Sequence, residues 1–128
     1  MEQQEENLFI NGLWFLLGGG WCIALLYGVF IVFISLTVLG WPYVLDLAKT
    51  ARFVASPYGK SAILRSSAFT QGWFSQCWKY TFGTLVALLH IALGVVLVLS
   101  IVGFPFGVKH FQLVRFAVAP FYVTIRMV

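Results

Sequence analysis

Charge is what this sequence has least of. Only 9% of its 128 residues are Asp, Glu, Lys or Arg, where a soluble domain carries about a quarter. Four residues are acidic, and Glu2, Glu5 and Glu6 place three of them at the N-terminus. Ser35, Ser56 and Ser100 therefore have no evident carboxylate or histidine base, and the chain is read as non-enzymatic. Two cysteines, Cys22 and Cys77, are too few for a disulfide framework. Two histidines far from both cysteines give no metal-ligand spacing, so no metal and no other cofactor is expected. Gly18-Gly-Gly20 lacks the Gly-Lys-Ser/Thr ending of a phosphate loop. The acidic start also lacks the basic region and cleavage site of a secretory signal, so the first apolar segment is expected to be retained.

What is present is hydrocarbon. Apolar residues make up 61% of the chain, and mean hydropathy is +0.94. A single domain of this size has too little interior to hide them from water. The expected class is an all-α integral membrane protein, one membrane domain over residues 1–128, with the lipid bilayer as its first partner. The net charge of +4 and pI near 9.3 come from scattered cations, which fit membrane orientation rather than nucleic-acid binding.

From Leu13 to Leu39 every residue is apolar, Gly, Ser or Thr, long enough for one spanning helix. The glycines at its start either delay the regular helix or let a neighbour approach closely, the second being favoured. A second span is expected from Thr81 to Val102, interrupted only by His90. Each run ends in a Gly-aromatic-Pro turn, Gly40 to Pro42 and Gly103 to Pro105. Each turn leads into a shorter, partly polar helix, Tyr43 to Ser56 and Phe106 to Ala119, closed by Pro57 and Pro120. The link from Gly59 to Tyr80 carries Lys60, Arg65 and Lys79 and reads as a headgroup-level loop with an aromatic approach to the second span.

The chain also repeats itself. A constant shift of 63 residues lays Gly40, Pro42, Arg52, Phe53 and Pro57 over Gly103, Pro105, Arg115, Phe116 and Pro120 without a gap. An internal duplication is inferred, with repeats at about 13–59 and 76–122. The shorter helix either returns across the bilayer, making the repeats parallel, or lies flat, making them inverted. Counting cations favours return: the opposite turns then hold no Lys or Arg.

Asp46, Lys49, Arg52 and Ser56 share one helix face, and Lys109, Gln112, Arg115 and Ala119 share the equivalent one. The simple reading is snorkelling, with Asp46 paired to Lys49. The sharper reading is a polar path, within a subunit or between copies, that favours anions. His90, at the position of Tyr27 in the repeat, is expected to bond a neighbouring helix or to relay protons, and His110 to be interfacial.

These turns, Leu36-Thr-Val-Leu-Gly-Trp-Pro42, Ser56-Pro-Tyr-Gly59, Ser100-Ile-Val-Gly-Phe-Pro-Phe-Gly107 and Ala119-Pro-Phe121, resemble the YccF family of bacterial inner-membrane proteins. The likeness runs from Leu13 to Tyr122 and departs at Tyr122, where a glycine is expected and only a short tail follows. It implies a multi-pass protein of the bacterial inner membrane and supplies no catalytic residue. The functional expectation is an oligomeric channel-like or transport component, against a non-enzymatic scaffold or accessory subunit of another membrane complex.

Overall fold

A computed structural model describes residues 2–64 and 72–127; Arg65 lies outside the described residues. In chain order the elements are α1 (Glu2–Leu16), α2 (Gly20–Ser35), α3 (Trp41–Ala55), β1 (Lys60–Leu64), α4 (Trp73–Tyr80), α5 (Phe82–Leu99), α6 (Phe104–Val118) and β2 (Val123–Met127).

The apolar run from Leu13 to Leu39 is not one helix. It breaks after Leu16, and α1 and α2 meet at 74°. Gly19 turns the chain there in the left-handed region, at φ +83°, which an L side chain resists. Trp14 fills the space beside it: a Cβ on Gly18 would lie 2.7 Å from the Trp14 carbonyl oxygen, and one on Gly20 would lie 2.7 Å from the Trp14 indole nitrogen. Both readings of the glycine cluster thus hold in part. The cluster ends one helix and starts another, and a Cβ on Gly19 would stand 3.0 Å from Leu93 of α5. Among the described residues, α5 is the single unbroken helix long and apolar enough to cross a membrane.

Each long helix turns back into its shorter neighbour. Pro42 and Pro105 sit in the first turns of α3 and α6, where a missing N–H costs nothing. Gly40 and Gly103 are required by crowding: a Cβ on Gly40 would collide with Ile34, and one on Gly103 would lie 2.8 Å from Leu97. Trp41 closes the first turn by donating its indole N–H to the Ser35 carbonyl at 2.7 Å. α3 packs back along α2, and α6 along α5.

The segments expected as loop and tail instead form structure. β1 and β2 pair antiparallel, with Ala62 opposite Ile125 at the centre of the register. Trp73 to Tyr80, expected as an approach, is the helix α4. Neither five-residue strand is stable alone, since the backbone groups of each need a partner strand 59 to 67 positions away.

Tryptophans tie the helices together. Trp14 donates to the carbonyl of Val54 and Trp78 to that of Ala117, each at 2.8 Å. Asn11 of α1 accepts from the Tyr58 N–H at 2.9 Å and donates to the Tyr58 carbonyl at 3.0 Å. Thr50 of α3 donates to the Pro120 carbonyl at 2.7 Å. Both Pro57 and Pro120 are fully buried. The two hairpins nevertheless run in opposite senses. Tyr43 at the start of α3 lies against Phe121 beyond α6, and Tyr58 beyond α3 lies against Phe106 at the start of α6. Phe30 late in α2 stacks on Phe82 at the start of α5, and Gly19 approaches Leu93 late in α5. The parallel arrangement expected from the cation count is therefore not the one built. Phe53 and Phe116 meet edge to face between them, centroids 5.5 Å apart.

The core is filled by Trp14, Ile23, Tyr27, Leu47, Val54 and Val86, none with any exposed surface. Outside it, α2 exposes Leu25, Val29, Val32 and Phe33, and α5 exposes Leu85, Leu88, Val95 and Val96. Apolar bands of that extent call for hydrocarbon as solvent.

Candidate functional site

The six residues of the polar row lie on α3 and α6, and the structure turns them outward. Lys49, Arg52, Gln112 and Arg115 are exposed, while Asp46 and Lys109 are half-buried. The arrangement follows from helix period: Leu47, Thr50 and Val54 take the buried face of α3, and Gly107, His110, Leu113 and Ala117 that of α6. A polar path inside one protomer, lined by this row, is therefore not what the geometry builds.

The row's charges find local partners. Lys49 and Asp46 are 3.5 Å apart, with side chains 62% and 37% exposed, a separation and exposure at which an ion pair contributes under about 1 kcal/mol. The Lys109 ammonium reaches back to the ring of Tyr58, 5.3 Å from its centroid, and the Arg115 guanidinium lies 4.8 Å from that of Phe116. Burial pushes the Tyr58 phenol up to about 12, so it remains a neutral ring beneath the cation. Ser56, at the end of the α3 row, accepts from Lys60 at 2.9 Å. Its counterpart Ala119 is buried.

His90 has the neighbouring-helix partner expected of it: its Nδ1 lies 3.0 Å from Nδ1 of His110. His110 itself is not interfacial. It is fully buried, its Nε2 bonds the Gly18 carbonyl, and its ring lies on Trp14 with centroids 4.5 Å apart. Neighbouring Lys109 suggested an interface, but one residue along a helix is a turn of about 100°. The signal was available in the repeat, where the 63-residue shift lays His110 over Leu47, also fully buried. Among the described residues, no group of three His, Cys, Asp or Glu side chains gathers to hold a metal.

The fold and its surface define a class: a mostly helical membrane protein whose long helices are apolar outside. The sequence profile described as an inner membrane component domain matches residues 9–60 and 76–121, and the chain belongs to this family, YccF. It is 30% identical to the inner membrane protein YccF of Escherichia coli K12, over 87% of this chain and 81% of that one. The Shigella flexneri protein of the same name matches equally. No solved structure matches. Relatives so named support residence in the bacterial inner membrane.

Proposed function

We propose that this protein is a non-enzymatic inner-membrane component that binds anionic lipid headgroups through the charged flanks of α3 and α6. In this reading the halves are two copies of one unit in opposite senses, related by an axis across the helices rather than along them.

The observation that carries the proposal is where charge sits along the hairpins. From Trp41 to Leu45 and from Phe104 to Val108 the turn-side ends of α3 and α6 have none; Asp46, Lys49, Arg52, Lys109 and Arg115 follow, along the stretches of the two helices that meet at Phe53 and Phe116. A conduit needs polar groups along the whole hydrocarbon thickness of about 30 Å. A headgroup site needs them at one interface, where each Lys or Arg contributes about 1 kcal/mol toward an anionic leaflet. Lys109 reaching back to Tyr58 is the posture of a snorkelling cation.

The test is reconstitution into phosphatidylcholine vesicles containing phosphatidylglycerol. Arg52→Gln with Arg115→Gln is expected to reduce the phosphatidylglycerol retained by the purified protein and to leave its oligomeric state unchanged. Unchanged retention overturns the reading. A second reading, a conduit between copies, draws on the outward exposure of Lys49, Arg52, Gln112 and Arg115. Altered anion conductance with unaltered lipid retention selects it.

A further inference from the structure

A buried acceptor is left open at the centre of the second hairpin. Gly94 and Gly107 let α5 and α6 touch backbone to backbone: a Cβ on Gly107 would lie 2.7 Å from the Gly94 carbonyl oxygen. One turn away on each helix stand His90 and His110, and this approach brings their Nδ1 atoms to 3.0 Å. On the far side of His110, Nε2 meets the carbonyl of Gly18, next to the Gly19 turn where α1 gives way to α2.

The hydrogens in this chain follow from the chemistry of its ends. A carbonyl only accepts, so Nε2 of His110 carries hydrogen. With that ring neutral, its Nδ1 is a lone pair and accepts from Nδ1–H of His90. The remaining nitrogen, His90 Nε2, is then a bare lone pair. It is completely buried and has no hydrogen-bond partner. Packing alone does not call for such an arrangement, because Leu47 fills the position equivalent to His110 without any polar atom.

We propose that the His90–His110 pair is an intramembrane proton-binding site. One hydrated proton is the ligand; it gives up its proton to form an N–H bond at His90 Nε2. The added positive charge is shared through the Nδ1–H···Nδ1 bond, and no existing hydrogen bond breaks. A second proton sets N–H against N–H and parts the rings, so the site holds one. The order of bonds gives the added charge a route to Gly18, and with it to the joint between α1 and α2.

The groups around the pair fit this use. Trp14 of α1 covers His110 and has no charge. Lys109 on α6 directs its ammonium to Tyr58, whose ring lies against Trp14, centroids 6.0 Å apart. Glu5 and Glu6 of α1 are exposed. Asp46 of α3 is paired with Lys49. On α2, Tyr27 is buried at the position equivalent to His90, and its hydroxyl also lacks a partner. The inference is independent of the headgroup reading, since none of the row's exposed side chains takes part.

The chain has two histidines, so protein labelled with [15N]histidine in lipid bilayers reports four ring nitrogens. Nitrogen NMR from about pH 8 to about pH 4 spans the range where imidazoles titrate. At the alkaline end, hydrogen is expected on Nε2 of His110 and Nδ1 of His90, with the two Nδ1 atoms coupled. On acidification, one proton per chain should appear at His90 Nε2 while that coupling persists. His90→Tyr, which installs the residue of the equivalent α2 position, should abolish the uptake. Hydrogen already on His90 Nε2 at the alkaline end, or no change at either ring, overturns the proposal. The native titration decides the matter without any variant.

Discussion

Gly94 and Gly107 meet across α5 and α6 with no side chain between them, so close that a Cβ on Gly94 would lie 3.2 Å from the Gly107 carbonyl oxygen. The first hairpin has no such pair, because Ile31 and Val44 stand at the equivalent positions. The second hairpin is therefore the tighter of the two, and the one that carries the histidine pair.

Gly107→Ala is expected to force α5 and α6 apart, since its Cβ meets the Gly94 carbonyl oxygen and the Val98 backbone nitrogen as well as the Val98 side chain. Overpacking of this kind costs about 1–3 kcal/mol. Thermal unfolding in detergent measures it, and the Nδ1 coupling of His90 and His110 should vanish with it. Gly28→Ala, at a glycine with open space around its Cβ position, is the control and should leave both readouts unchanged.

Trp14→Phe and Trp78→Phe each leave a buried carbonyl without its donor, that of Val54 in one case and Ala117 in the other. An orphaned buried acceptor costs about 1–3 kcal/mol. Comparable losses are expected, read from chemical denaturation. Trp14→Phe alone should also shift the His110 ring resonances, because the Trp14 ring lies tilted against that ring with centroids 4.5 Å apart.

The Tyr58 phenol is raised by burial from 10.0 to about 12. The folded state therefore keeps its proton where the unfolded chain loses it, and stability falls as pH rises through this interval. Below pH 10 the contribution is complete. Unfolding measured between pH 10 and pH 12 should show a decline that Tyr58→Phe lessens.

Ile125 is the central residue of β2, opposite Ala62. Ile125→Pro removes a donor from the ladder and should unzip the two strands. Hydrogen exchange is the measure: amides from Lys60 to Leu64 should lose protection, while those of α5 keep theirs. Equal loss in α5 would mean that the sheet and the second hairpin unfold as one unit.

Lys49→Met removes an exposed ion pair of 3.5 Å with Asp46. The change in stability should stay below about 1 kcal/mol. A larger loss in thermal unfolding would show that the α3 flank is covered by another chain or by lipid in the folded protein.

Much of this protein was legible one residue at a time. The apolar runs dictated helices in hydrocarbon, because few of those side chains fit inside so small a domain. Gly40-Trp-Pro42 and Gly103-Phe-Pro105 marked the turns, because proline admits only the first turn of a helix and a Cβ at either glycine collides with its own chain. Period alone put Lys49, Arg52 and Arg115 on one face of their helices. What that face looked upon was beyond it, since a helix does not state whether its neighbour is protein, water or lipid. Three features were decided only in three dimensions. Trp14 folds over Gly18 and Gly20 and breaks an apolar run that is locally capable of continuing as a helix. The strands exist only because the segment after α3 and the segment after α6, 59 to 67 residues apart, are carried side by side. His90 and His110 pair across two helices through an approach set by Gly94 and Gly107, and no local pattern specifies a distance between side chains that the chain itself holds twenty residues apart.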